Sequence, residues 1–366
     1  MRSKKFALLT TTVLSLVILA ACGNNNAANT ANTSTNAASG TNQASNAEQD
    51  EAKQPSLEVS SLSIGTARDL QLASEIIVAI EEGYFSEEGL DINLELFQSG
   101  ADVTAALAGG SIPIGSVGDS PATILKGSGS AVQIIAQQSD ISGAQSMVVN
   151  PNTIKTPEDL NGKKIAYSPG NTSEALFLQI VEHYGLDTSS MDIYKMGGTE
   201  MTIAYEKGDI DAFVVWEPVI LNTTKIGAMR FISASQSYVP GEEGPQKLAG
   251  FHSVLLTDTK FAEKHPNTVK AVLRALSKAV AFIHESPDQA AAHAAETLQL
   301  DLADAIEIMS LNEYSLAITP ELIEDIENTS SFLLANEKIK ELPDFSEFVN
   351  PGFLLEVDPT LVTWTP

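Results

Sequence analysis

Hydrophobic positions in the body of this chain alternate between two periods. Leu90, Ile92, Leu94 and Leu96 interleave with Asp91, Asn93 and Glu95, which predicts a half-buried strand over 90–97. Val269, Val272, Leu273, Leu276, Val280 and Ile283 recur at three and four, the single buried face of a helix. Between these clear cases the same alternation predicts strands at 62–66, 112–117, 132–136, 146–149, 163–167, 193–196 and 212–216, and another leading back out around 248–256. Helices are predicted over 70–82, from Ser99-Gly100 through Leu107, over 121–126 and over 172–184. Gly83 and Gly109-Gly110 stand where helix C-caps want glycine. Thr156-Pro157-Glu158-Asp159 supplies an N-cap, a proline at the first helical position and an acidic residue placed to answer the cap, and it opens a second unit. Strand–helix alternation of this kind predicts an α/β fold with mostly parallel sheets. Residues 341–366, with Pro343, Pro351, Pro359 and Pro366, cannot form a long helix and read as an irregular tail over the first lobe.

An internal echo suggests that the two units are similar. Gly110-Ser-Ile-Pro-Ile-Gly leads through a strand to Asp119-Ser120-Pro121; Gly208-Asp-Ile-Asp-Ala-Phe leads through another to Glu217-Pro218. Each places an acidic residue and a proline where a helix begins.

The first 57 residues have a different grammar. Arg2, Lys4 and Lys5 precede an apolar stretch from Phe6 to Ala21, which reads as a signal sequence over 1–21. It ends in Leu19-Ala20-Ala21-Cys22, and Cys22 is the chain's single cysteine, so no intramolecular disulfide is open to it. Residues 22–57, rich in Asn, Ala, Thr, Ser and Gln, bury too little apolar surface to offset chain entropy and read as a disordered tether. Loss of the signal would remove three positive charges and take the formal net charge from -26 to -29. So acidic a chain repels nucleic acid and anionic lipid surfaces, which excludes nucleic-acid partners.

Ligands of open α/β sheets bind beyond the carboxyl ends of the strands. Here those ends are 66–69, 98–100, 118–120, 168–173 and 216–218. Ser, Thr and Asn there either cap helices or offer hydroxyls and N–H groups to a ligand. The candidate ligand-binding residues are therefore Gln98, Ser99, Asp119, Ser120, Ser168, Asn171, Thr172 and Ser173, with Arg68, Trp216, Glu217 and His252. Arg68 either holds an anion through its fork or pairs with Asp69. Trp216 is either a cleft platform or core. Glu217 caps its own helix, makes a hinge contact or faces ligand. His252, where the chain recrosses between lobes, makes an interdomain hydrogen bond or touches ligand. The five histidines show no metal-ligand spacing, and no nucleophile elbow or phosphate loop is present, so neither cofactor nor catalytic residue is expected.

In these stretches the chain resembles the nitrate/sulfonate/taurine family of ABC-importer binding proteins, whose fold also serves pyrimidine-precursor binders. The resemblance is carried by Glu82-Gly83-Tyr84-Phe85 with Glu88-Gly89-Leu90, by 107–121 (LAGGSIPIGSVGDSP), by 156–166 (TPEDLNGKKIA), by Gly170-Asn171-Thr172-Ser173, by 208–212 and by Val215-Trp216-Glu217-Pro218. Leu19 to Cys22 likewise resembles the lipobox of bacterial lipoproteins. The resemblance implies a periplasmic-binding-protein-like fold of the second type: two α/β lobes that close on ligand, with the chain crossing between them near 148–151 and 250–253. Lobe 1 is then discontinuous, 58–150 plus 254–366, and lobe 2 spans 151–253. It also implies a monomeric binder rather than an enzyme. Cys22 would be lipidated and hold the protein on the extracytoplasmic face of the cell membrane, touching the membrane through that lipid only. The partners would be an ABC permease and its ATPase. The ligand expected is a small organic anion, foremost an aliphatic or aryl sulfonate or taurine, with nitrate, a carboxylate or a thiamine-pyrimidine precursor behind it. A sensor lipoprotein or an enzyme on the same fold is the alternative class.

Overall fold

The computed structural model describes residues 56–366; the signal sequence, Cys22 and the tether up to residue 55 lie outside the described residues. Ser56 and Leu57, expected in the tether, belong to the fold: Leu57 packs on the first core and the Ser56 carbonyl accepts a bond from Asn267.

Thirteen strands are formed among the described residues: β1 Ser61–Ala67, β2 Asp91–Phe97, β3 Ile114–Gly118, β4 Val132–Asp140, β5 Gln145–Val149, β6 Lys164–Tyr167, β7 Asp192–Lys195, β8 Ala212–Trp216, β9 Met229–Ser233, β10 Gln236–Ser237, β11 Gly244–Pro245, β12 His252–Asp258 and β13 Glu313–Tyr314. They build two sheets, in the orders β13-β4-β12-β3-β1-β2 and β11-β10-β9-β5-β8-β6-β7. Each contains one parallel triad, β2-β1-β3 and β7-β6-β8, in which a helix returns the chain to the same end. The remaining pairs are antiparallel, so the sheets are mixed rather than mostly parallel. The reason lies at the crossings: β4 and β12 carry the chain out of and back into the first sheet, and β12 re-enters with no crossover helix, so it runs opposite to both β3 and β4.

The boundary between lobes also moves. Gln145–Val149, expected in the first lobe, pairs with β8 and β9 of the second sheet. The outward crossing is therefore Ile141–Ala144, not 148–151. The return crossing lies just before β12, and the two are stitched together: Ile141 N–H donates to the Phe251 carbonyl at 2.8 Å, and Phe251 N–H donates to Ser142 Oγ at 2.9 Å.

Burial matches the periodicity. The helix Pro266–Glu285 turns Val269, Val272, Leu273, Leu276 and Ile283 onto the first sheet's core and packs beside the helix Leu70–Glu81. The tail forms two short helices, Phe345–Phe348 and Gly352–Val357. Its Phe348 and Leu354 are fully buried in that same core.

Candidate functional site

All five strand-end junctions open into one cavity of about 520 Å³. From the first sheet come Asp69, Gln98 to Ala101 and Gly118 to Pro121; from the second come Gly170 to Thr172 and Trp216. Gln71, Leu72, Ile124, Ile141, Ala144, Gln145 and Phe251 complete the lining. Both lobes and both crossings thus contribute.

Local sequence fixes the helix starts that face this space. Asp69 caps the helix Leu70–Glu81, its Oδ1 accepting from Leu72 N–H at 2.9 Å. Ser99 Oγ accepts from Asp102 N–H at 3.3 Å, and Asn171 Oδ1 from Ser173 N–H at 2.9 Å. Asp119 Oδ1 accepts from Ser120 N–H at 2.6 Å. A cap answers only part of the first turn, whose other N–H groups keep their positive partial charge. Four helices of nine residues or more begin at the cavity wall in this way.

Seven of the twelve candidate residues line the cavity: Gln98, Ser99, Asp119, Ser120, Asn171, Thr172 and Trp216. Five do not. Arg68 comes directly after β1, and its side chain is exposed while its backbone N–H bonds Phe97 O at 2.9 Å. Successive residues of extended chain point to opposite sides, so Asp69 faces the cavity and Arg68 turns away. Nor do the two pair, because the Asp69 carboxylate is engaged in capping. Ser173 is fully buried, its Oγ donating to Val214 O at 2.6 Å and accepting from Ser168 N–H at 3.1 Å; Ser168 Oγ accepts from Asn171 Nδ2 at 2.9 Å. Both serines brace the loop from within.

Glu217 is 1% exposed. Its Oε2 accepts from Leu221 N–H at 2.9 Å, and its Oε1 pairs with Arg230. Burial raises its pKa, although Arg230 and the Leu221 N–H act in the opposite sense. It is a helix cap and ion-pair member, because the alternation that sends Trp216 outward sends Glu217 inward. His252 is buried at the start of β12, its Nε2 bonded at 2.9 Å to Asp325 Oδ2 on the helix Pro320–Ala335. Lys247 from the return crossing reaches the same oxygen at 3.0 Å. The ring therefore makes a hinge contact inside the first lobe, not a cavity contact. Burial opposes the imidazolium, but the bond to Asp325 and the charges of Asp140, Asp119 and Asp325 prevail and raise its pKa.

The electrostatics of the lining are one-sided. Among the described residues its only charged side chains are Asp69 and Asp119, each pushed up to about 6 by burial. For Asp119 the His252 charge and the N–H bonds of Ser120 and His252 oppose that push, while Asp325 adds to it. At the rim, the Lys338 side chain lies directly against Gly170 and brings one cation to the loop that starts the helix Thr172–Tyr184. Gly170 has φ +69° and no side chain, which that close approach requires. The candidates that sequence reasoning missed, Gln71, Ile124, Gln145, Ile141 and Phe251, sit within elements or on the crossings, where no local signal marks them.

Two lobes of mixed α/β structure, closing their strand ends on a shared cavity, define the periplasmic-binding-protein-like class. The chain belongs to the NMT1/THI5-like family, whose model matches residues 73–290. It is similar to the taurine-binding periplasmic protein of Escherichia coli (strain K12), at 28% identity over 58% of this chain and 63% of that one, so it spans somewhat less than two thirds of that relative. It is also similar to a Bacillus subtilis (strain 168) protein provisionally named as aliphatic sulfonates-binding, at 26% identity over 78% of this chain and 85% of that one. Among solved structures, the periplasmic aliphatic sulphonate binding protein SsuA from Escherichia coli superposes with a TM-score of 0.66 at 21% identity. That match covers 79% of this chain and 91% of that one, and at such identity it bears on the fold.

Proposed function

We propose that this protein is the extracytoplasmic solute-binding component of an ABC importer, and that it captures a small organic anion, foremost a sulfonate. The observation that carries this reading is that all five strand-end junctions open into one cavity between the lobes, with four helix starts at its wall. Oriented N–H groups at helix starts hold anions without a lysine or arginine. The names of the two relatives, taurine-binding and aliphatic sulfonates-binding, point the same way. Binding rather than catalysis fits the two relatives, both named as binding proteins. A second reading rests on Asp69 and Asp119: two carboxylates in the wall favour a ligand that also carries an ammonium group, as taurine does. Native mass spectrometry of gently purified protein, followed by calorimetry with a panel of sulfonates, carboxylates, nitrate and amines, tests both. Binding of neutral rings alone would overturn them.

We further infer that the chain is a lipoprotein anchored through Cys22, that it meets its permease and ATPase at the membrane, and that it acts as a monomer. The Leu19-Ala20-Ala21-Cys22 sequence supports the anchor, and no helix among the described residues is long and apolar enough to cross a membrane. Two acyl chains give stable attachment where one is marginal. Cys22→Ala should release the protein from washed membranes; equal retention of the variant would refute the anchor.

A further inference from the structure

If the cavity is the binding site, as proposed above, its apolar side says more about the ligand than its helix starts do. Trp216 and Ile124 are among the most exposed large apolar residues described, at 41% and 39%, yet both line the cavity, one from each lobe. Trp216 ends a strand whose preceding residues, Ala212 to Val215, are all buried, and it is paired in register with Gln145, another lining residue. Ile124 lies on the helix Asp119–Gly127, whose start holds Ser120. Leu72, Ile141 and Phe251 add further apolar side chains to the same cavity lining. A volume of about 520 Å³ falls in the range of about 300–1,000 Å³ that encloses drug-sized ligands. Nitrate offers nothing to cover this surface, and a two-carbon chain covers little of it.

We infer that the ligand is an aromatic anion, its ring held between Trp216 and Ile124 and its charged head at the helix starts. An exposed indole in the same cavity as an exposed aliphatic side chain favours a flat ring over a flexible alkyl chain, because stacking adds to the area removed from water. The two walls come from different lobes, so a ring bridging them also couples occupancy to the juxtaposition of the lobes.

The test is calorimetric titration of the full-length protein with naphthalene-2-sulfonate, benzenesulfonate, ethanesulfonate, taurine and nitrate. The expected result is aryl sulfonates binding at least about tenfold more tightly than ethanesulfonate, a ratio of the size that ring stacking and added apolar burial supply. Trp216→Ala should remove most of that preference, and Trp216→Phe should keep it within about threefold. Circular dichroism of the variants checks that they fold. Ethanesulfonate or taurine binding as tightly as the aryl compounds would overturn the ring inference and leave the anion reading standing. An aryl preference that survives Trp216→Ala would overturn it as well. Failure of every sulfonate, with binding of a neutral or purely cationic solute, would remove both readings.

Discussion

Asp119 is the more buried of the two charged residues in the cavity lining, and on the anion reading its charge matters most. It is 2% exposed, it opens the helix Asp119–Gly127 with its Oδ1 accepting from Ser120 N–H, and it lines the cavity. His252 N–H and the Thr329 hydroxyl each approach Oδ2 at 3.4 Å, long distances for partners of a carboxylate. The charges facing it are the His252 ring on β12 and Asp325 on the helix Pro320–Ala335, with Asp140 and Lys247 acting on that pair; Asp69 lines the cavity from the same sheet. Burial moves its pKa from 3.8 to about 6. At about 1.4 kcal/mol per unit, ionised Asp119 costs the fold about 3 kcal/mol. The folded pKa is raised, so this contribution to stability is present below 3.8 and is lost as pH rises through about 6. An anion at the Ser120 helix start adds direct repulsion, about 4 kcal/mol at 4 Å in an effective dielectric of 20. Anion binding then requires a neutral Asp119. Above its pKa each further pH unit should weaken binding about tenfold, a fall of about 50-fold between pH 6 and pH 8. The double variant Asp69→Asn/Asp119→Asn should flatten this profile and bind at pH 8 about as the wild type does at pH 5, since both carboxyls titrate near 6 in the lining. Calorimetry from pH 5 to pH 8, in buffers of different ionisation enthalpy, reads both the affinity and the proton taken up. A flat wild-type profile, or an equal fall in the double variant, would refute the coupling. Binding that strengthens above pH 6 would instead identify a ligand whose ammonium group faces Asp119.

Two further substitutions probe the scaffold behind the site. Arg230→Ala strands the buried Glu217 carboxylate, whose side chain has no exposed surface. It should cost about 3–5 kcal/mol in urea unfolding, with Glu217→Gln restoring much of it; a loss under about 1 kcal/mol would show that the pair contributes little. Gly143 lies on the outward crossing, where a Cβ would overlap the Leu311 carbonyl oxygen, a backbone atom that cannot rotate aside. Gly143→Ala should destabilise by about 1–3 kcal/mol, and an unchanged unfolding midpoint would contradict that close approach.

What the sequence determined by itself was local. Caps, glycine stops and hydrophobic periods relate residues within four positions of each other, so strands and helices were legible, and with them the junctions where a cavity had to open. Leu90 to Leu96, the Pro266–Glu285 face and the caps at Ser99 and Asn171 are all of this kind. The echo between Asp119-Ser120-Pro121 and Glu217-Pro218 also proved topological, since β3 and β8 occupy the same place in their parallel triads. Tertiary structure decided which neighbour at each junction faces the cavity. Asp69 rather than Arg68, and Trp216 rather than Glu217, are presented because the twist and packing of each sheet set the phase of the alternation, which periodicity alone leaves open. It also decided that His252 belongs to Asp325, 73 residues away, and Glu217 to Arg230. The place of Gln145–Val149 in the second sheet depends on strand pairing at long range. Burial and hydrogen bonding between distant segments select these partners, and nothing within a few residues of either end records the choice.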